Sequence, residues 1–431
     1  MNRPFTRAAH RAALVVLTVA AGNAAASPAR AQFVEPGVQS LYSVQAEAPG
    51  DFFGYMASAI GDLNGDGVSE FIIGAWRNTA GGPLAGRAYV FSGRDGALLH
   101  TVTGLPNNRI GFSVAGVGDV NRDGVPDYAV GGPGRFAVPQ NGRVLVLSGA
   151  DHSVLYDLAG TSQSLFGWDV NAAGDVNGDG WPDIAVGAPL VSQTAGFAGR
   201  VYAISGRDGS TIWTRDGEAE NASLGTAVGG VGDLDGDGLA EITVGASGEV
   251  NGHRNSGKAF LLRGRDGSVA RTFKPSSTAC DFGDFYVHAS DDVNGDHVPD
   301  IYIADYCDNR LGAGSGRGYV FSGASEEKLR VFSAESAGDG LGAGRPVRDL
   351  DGDGAADYII SAYTSSYGAA DGGRVYLFSG KTGKTLRTIT GTVAGRELGF
   401  DALPLGDVNG DGKTDFLLTG QDIAFVIAGD R

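Results

Sequence analysis

The sequence is poor in the residues from which most catalytic sites are built. Of 431 residues only two are cysteine and six are histidine, and there is no G-x-S-x-G, no H-E-x-x-H and no P-loop. Catalysis needs converging groups with tuned pKa values, and the one histidine among acids, His288 near Asp281, Asp284 and Tyr286, reads as a surface residue in an ion-pair setting. Basic residues are also scarce: 33 Lys and Arg against 50 Asp and Glu give a formal net charge of −17. That sign argues against nucleic acid or an anionic membrane surface as partner. After the first 31 residues no segment approaches the ~18 consecutive apolar residues of a spanning helix. Nor does any segment carry a long apolar stripe of period 3.6, which argues against helical folds.

Residues 1–31 are expected to be a secretory signal, with Arg3, Arg7 and Arg11 ahead of the apolar run 12–21 and the small-residue pattern Ala29-Arg30-Ala31 before Gln32. Removing the signal with its four arginines takes the charge to −21, and residues 32–431 are expected to form one domain. In an exported chain two cysteines allow one disulfide, Cys280 to Cys307, with two free thiols as the alternative. Cys280 precedes the first strand of a repeat and Cys307 follows its second, so an antiparallel pair places both at one end. Such a bridge contributes roughly 3.5 kcal/mol.

What the chain has in abundance is one acidic stretch, Asp175-Val176-Asn177-Gly178-Asp179-Gly180-Trp181-Pro182-Asp183, followed by the apolar Ile184-Ala185-Val186-Gly187. It recurs seven times, from Asp62, Asp119, Asp175, Asp233, Asp292, Asp349 and Asp407, at spacings of 57, 56, 58, 59, 57 and 58 residues. A fixed period of this length marks a repeat architecture. Each repeat reads as four short strands separated by glycine-rich turns; in the third these are 166–170, 183–187, 199–206 and 210–214. Four-stranded units cannot bury their apolar faces alone but can do so against radial neighbours. The expected fold is therefore all-β, a seven-bladed β-propeller. The last repeat stops after its third strand, 422–429, and the missing fourth is supplied by 40–46 at the start of the mature chain. This closure leaves no free sheet edge.

The acidic stretch offers side-chain oxygens at loop positions 1, 3, 5 and 9, and a carbonyl at position 7. Calcium takes six to eight such hard ligands. The expected side-chain ligands are Asp62, Asn64, Asp66 and Glu70; Asp119, Asn121, Asp123 and Asp127; Asp175, Asn177, Asp179 and Asp183; Asp233, Asp235, Asp237 and Glu241; Asp292, Asn294, Asp296 and Asp300; Asp349, Asp351, Asp353 and Asp357; and Asp407, Asn409, Asp411 and Asp415. The carbonyls are those of Val68, Val125, Trp181, Leu239, Val298, Ala355 and Lys413. The loop is not an EF-hand, because position 12 is always an apolar strand residue instead of a bidentate glutamate. Up to seven calcium ions are expected, one per blade. The fifth loop is the weakest candidate, since His297 replaces the glycine of position 6.

With these loops in place the chain resembles the FG-GAP repeats of the integrin α-subunit head over residues 38–431. The FG pair appears as Phe53-Gly54, Phe166-Gly167 and Phe282-Gly283, reversed as Gly111-Phe112, and varied as Leu224-Gly225, Leu341-Gly342 and Leu398-Gly399; a full GAP occurs at Gly187-Ala188-Pro189. The resemblance implies a seven-bladed propeller with calcium loops on the lower face and partner recognition on the upper. It therefore implies an exported adhesion or binding module for a protein or glycan on a cell surface or matrix, and the missing catalytic motifs argue against an enzyme. On the upper-face loops, Trp76, Arg77, Arg135, Phe136, Phe197, His253, Arg254, Tyr306, Arg310, Tyr363 and Tyr367 are the candidate contact residues. A secreted propeller enzyme acting on polysaccharide or phospholipid, and a structural surface component, are the alternative readings.

Overall fold

A computed structural model describes residues 32–135, 141–249 and 256–429. The expected signal segment, Phe136, His253 and Arg254 lie outside the described residues. Among the described residues twenty-eight strands form seven four-stranded antiparallel sheets. Six blades run in chain order over 53–103, 113–162, 170–216, 224–273, 287–333 and 341–390. The seventh joins Ala402–Gly406, Asp415–Gly420 and Ile423–Ile427 to Ser40–Gln45 as its outer strand. The first strand of each blade is innermost and the fourth lies on the rim.

Strand burial explains the sequence pattern. The second strand of every blade, from Glu70–Ala75 to Asp415–Gly420, is buried at all six positions. Such a strand has no polar face, so it reads as a continuous apolar run such as Phe71-Ile72-Ile73-Gly74-Ala75. The rim strands are more open: in Leu98–Thr103 only Val102 is buried.

The apolar core lies between blades. Ile60, Ile72 and Val90 of blade 1 pack on Val114, Tyr128 and Leu147 of blade 2. Across the closure Phe53, Phe71 and Tyr89 pack on Leu417 and Val426 of blade 7 together with Val44. Each fully buried side chain of this size stabilises the ring by roughly 1.5–3 kcal/mol. The seam pairs Tyr42 with Val426 and Val44 with Ala424. Ahead of it, the Glu35 carboxylate accepts from the Thr390 amide at 2.8 Å and the Thr388 hydroxyl at 3.0 Å.

Two local expectations are corrected. In the third repeat the first strand is Val170–Gly174, because Phe166-Gly167 forms a turn ahead of it. In blade 2 the Phe-Gly position is held by Ile110-Gly111, not by a reversed Gly111-Phe112. Ile110 bridges Gly86 just as Leu224 bridges Gly199 and Phe282 bridges Gly257. Gly111 has φ +82°, and a Cβ there would lie 2.3 Å from the Arg87 carbonyl oxygen, so only glycine fits.

Candidate functional site

Two faces carry polar or aromatic side chains in a repeating arrangement. On one, the acidic hairpin of each blade joins the first strand to the second. Its backbone is held by the aspartates. In the first loop Asp62 Oδ1 accepts from the Gly65 amide at 2.7 Å and Asp62 Oδ2 from the Gly67 amide at 2.8 Å, while Asn64 accepts from Asp66 at 2.9 Å and Asp66 from Val68 at 2.9 Å. The ladder recurs in the third loop through Asp175, Asn177 and Asp179 and in the seventh through Asp407, Asn409 and Asp411. Both position 4 and position 6 take positive φ, at Gly65 and Gly67 for example. The exceptions to glycine are Arg122 (φ +59°) and His297 (φ +66°). His297 still donates its amide to Asp292 Oδ2 at 2.6 Å, so the fifth loop keeps its shape.

Position 9 is different in kind. Asp183 is fully buried at the start of the second strand; its Oδ2 accepts from the Val176 amide at 3.0 Å and its Oδ1 from Gly206 at 3.0 Å. It thereby ties the acidic loop to the turn between third and fourth strands, as do Asp127, Asp300 and Asp357, while Asp415 ties its loop to Gly429 just after the third strand of blade 7. Burial pushes Asp183, Asp300 and Asp357 up to about 6. Where position 9 is glutamate the longer side chain still accepts from position 2, at Glu70 and Glu241, but Glu241 Oε1 is buried without a partner among the described residues. Carboxylate oxygens of Asp233, Asp235 and Glu241 lie within 4.8 Å of one another, as do those of Asp349, Asp351 and Asp353. The donor set is all hard oxygen, and an orphaned buried carboxylate oxygen in such a set fits a divalent cation.

Neighbouring loops also touch. Arg122 of the second loop donates to the Gly180 carbonyl, and its guanidinium lies 3.4 Å from the Trp181 ring centroid, with Arg207 at 4.9 Å on the same ring.

The opposite face holds a collar of aromatic rings over the ring axis. Tyr55 packs on Phe112 at 5.0 Å and Phe400 at 5.4 Å, Phe112 on Trp168 at 4.6 Å, and Trp168 on Phe285 at 5.7 Å. Trp76 joins through Phe112 at 5.9 Å and Tyr363 through Phe400 at 5.2 Å. The Arg77 guanidinium lies over Phe52 and Trp76 at 4.0 and 4.6 Å, and Arg109 over Trp76 at 5.1 Å. A cavity of about 160 Å³ opens among Tyr55, Phe285, Tyr306, Tyr363 and Phe400. Beneath it Tyr306 donates to Asp284 Oδ2 at 3.0 Å, while Asp284 Oδ1 is buried without a partner among the described residues. Burial, reinforced by Asp281, pushes Asp284 up to about 8.

Of the candidate contact residues the structure brings Trp76, Arg77, Tyr306 and Tyr363 to this collar. Arg135, Phe197, Arg310 and Tyr367 stand exposed on their loops, Tyr367 under the Arg374 guanidinium at 4.0 Å. The collar rings Tyr55, Phe112, Trp168, Phe285 and Phe400 were missed by sequence reasoning. The signal of all but Phe285 is the residue after the Phe-Gly position: Tyr55, Phe112, Trp168 and Phe400 all occupy it.

His288 is corrected as well. It is not a surface residue among acids but lines the axial channel with Ser58, Asn171 and Arg345 around a cavity of about 280 Å³. Burial, with Arg345 nearby, holds it well below the usual imidazole range. Arg345 is paired with the fully buried Asp401 at 3.0 Å. Cys280 and Cys307 form a disulfide with Cα atoms 5.8 Å apart at the upper end of blade 5.

A closed ring of seven four-stranded blades, with an acidic hairpin on one face of each and a glycine turn feeding an aromatic collar on the other, defines a seven-bladed β-propeller. The chain carries FG-GAP repeats: the family model described as FG-GAP repeat matches residues 166–204 and 224–262. It is similar to integrin alpha-5 of Xenopus laevis, 36% identical over 182 residues (38% of this chain, 17% of that protein), and to integrin alpha-IIb of Homo sapiens, 34% over 176 residues (36% and 17%). It is also similar to the phosphatidylinositol-glycan-specific phospholipase D of Bos taurus, 27% identical over 384 residues, covering 74% of this chain and 45% of that protein. The chain thus spans less than half the length of each of these relatives. The crystal structure of Saccharomyces cerevisiae Sqt1 shares the fold, with a TM-score of 0.53 at 12% identity over 90% of this chain and 98% of that one. No helix among the described residues is long and apolar enough to cross a membrane.

Proposed function

We propose that the chain is an exported, calcium-stabilised binding module that takes a protein partner through its aromatic collar. The observation that carries this reading is the collar itself: Tyr55, Trp76, Phe112, Trp168, Phe285 and Phe400 gather large rings on one face beside an open cavity. Rings serving only to fill the axis would leave no opening. Clustered tryptophan and tyrosine with flanking arginine is the composition of interface hot spots. The kinship with integrin α-subunits supports a protein in preference to a glycan as the partner, on a cell surface or matrix.

Calcium acts here as a structural ion. In each blade the side-chain oxygens at positions 1, 3 and 5 and the carbonyl at position 7 hold it, with position 9 as the carboxylate nearest the core. Affinities are on the order of 0.1–1 mM, as in extracellular modules. Loops four and six, each with a fourth carboxylate at position 3, gather their acids most closely.

The test is capture of a partner from the native exterior by the full chain in millimolar calcium. Alanine at both Trp168 and Phe400 is expected to lower the affinity of the captured protein at least tenfold, whereas alanine at Tyr367 leaves it unchanged. Equal capture by the parent chain and both variants refutes the reading. A second reading rests on the phospholipase D relative. Turnover of a phosphatidylinositol-glycan by the purified chain would replace binding with catalysis.

A further inference from the structure

We propose that Cys280, Asp281, Asp305 and Cys307 form a redox-gated site for a borderline divalent metal of the zinc class, at the upper end of blade 5 and apart from the acidic hairpins. The two sulfurs and a carboxylate oxygen of Asp281 all lie within 4.8 Å of one another. Asp281 Oδ2 is 3.2 Å and Asp305 Oδ1 is 3.8 Å from Cys307 Sγ. Asp305 ends the fully buried second strand Asp300–Asp305 and is itself 0% exposed. One of its oxygens takes only long contacts, 3.4 Å from the amides of Cys280 and Asp281, and the other has no partner among the described residues.

The nearby cation is committed elsewhere. Arg317 pairs with Asp308, whose carboxylate also accepts from Ser276, Thr278 and Tyr319. The half-buried Asp281 and the fully buried Asp305 are left without an ion pair among the described residues, and burying a charge without compensation is costly. Two sulfurs and two carboxylates are a four-ligand set suited to tetrahedral zinc, whereas calcium takes oxygen alone.

In the disulfide form the sulfurs are bonded to each other and offer no thiolate. A dithiol opens the site: two electrons and two protons pass to the S–S bond, giving two thiols, and the dithiol closes to its own disulfide. Metal binding then releases both thiol protons, and the divalent cation compensates the thiolates and flanking carboxylates. A small-molecule disulfide reverses the sequence: it takes two electrons from the metal-bound thiolates and leaves, with two protons, as two thiols, while the Cys280–Cys307 bond re-forms and the metal is expelled. The proposal does not depend on calcium in the hairpins or on the partner-binding face.

Cobalt tests it, because the acidic hairpins contain no sulfur. The full chain, reduced with a dithiol, desalted without air and held in excess calcium, is titrated with Co2+. One equivalent is expected to give a near-ultraviolet thiolate-to-cobalt band and intense tetrahedral visible bands, which Zn2+ then bleaches. The oxidised chain shows neither, and Cys280→Ser abolishes both. Asp305→Asn weakens cobalt binding at least tenfold while leaving the oxidised chain folded. A reduced, folded chain without the thiolate band, or an unchanged affinity in Asp305→Asn, overturns the proposal. If reduction alone unfolds the chain, zinc present throughout must keep it folded; unfolding in zinc as fast as without it also overturns the proposal.

Discussion

Burying a carboxylate without a cation costs free energy that packing elsewhere must offset. At Asp284 the cost is visible as a proton affinity raised by burial to about 8, and at Asp169, also by burial, to about 7. Both folded values lie above the ordinary 3.8 of aspartate. Their contribution to stability is therefore complete below pH 3.8 and is lost as pH rises through about 7 and 8. The stacked pair His100 and His152, ring centroids 4.3 Å apart, works in the opposite direction. Burial lowers both below 6.5, so their contribution is present above pH 6.5 and is lost as pH falls toward the folded values. Asp284→Asn keeps the shape and removes the charge. It is expected to raise the melting temperature at pH 8 by about 2 °C and to leave it unchanged at pH 4, as melting curves in EDTA at the two pH values will show. A lower melting temperature at pH 8 would mean that the carboxylate's acceptance from the Tyr306 hydroxyl outweighs the cost of its burial.

At the scale of the acidic hairpin, one sequence pattern serves two physical roles. Asp179 and its equivalents lie toward solvent and shape the turn, while Asp183 and its equivalents are buried pins between two hairpins. Asp183→Ala strands two buried amides, those of Val176 and Gly206, and is expected to cost about 3 kcal/mol. That loss should already be present in EDTA and be larger in calcium, because the same carboxylate is also a proposed ligand. Asp179→Ala is expected to cost under about 1 kcal/mol in EDTA but to forfeit part of the stabilisation that millimolar calcium gives the parent chain. Denaturant titrations of both variants with and without calcium measure the split; equal losses from Asp179→Ala in the two conditions would reduce the hairpins to turns without ions. The hairpins were legible in the sequence because seven copies in phase expose their pattern. The division of labour was not, since an aspartate looks the same whether it faces solvent or a buried amide. The collar was hidden for a related reason. Its rings come from blades far apart in sequence, and only the ring closure brings Tyr55 against Phe285 and Phe400. Reading Gly111-Phe112 as a reversed pair concealed one of them, because the backbone selects the glycine and tolerates Ile110 before it.

For the molecule as a whole, seven blades with inter-blade cores are stable only as a closed ring, and one strand closes it. Ser40–Gln45 is hydrogen-bonded to Ile423–Ile427, and Val44 enters the same cluster as Phe53, Phe71 and Val426. Without it, blade 7 presents an unpaired edge of Ile423-Ala424-Phe425-Val426-Ile427, a run with no charge and high strand propensity that would template pairing with another chain. Deleting residues 32–46 also removes Glu35 from Thr390 and Phe33 from its packing on Phe425 at 5.5 Å. The truncated chain is expected to melt at least 10 °C lower and to elute as aggregate in size-exclusion chromatography. The milder Val44→Asp, which buries a charge in the seam while keeping the strand, is expected to cost about 3 kcal/mol. A truncated chain that remained monomeric at the parent melting temperature would show that the ring holds through its remaining interfaces, with the amino-terminal strand merely lying along the edge it covers.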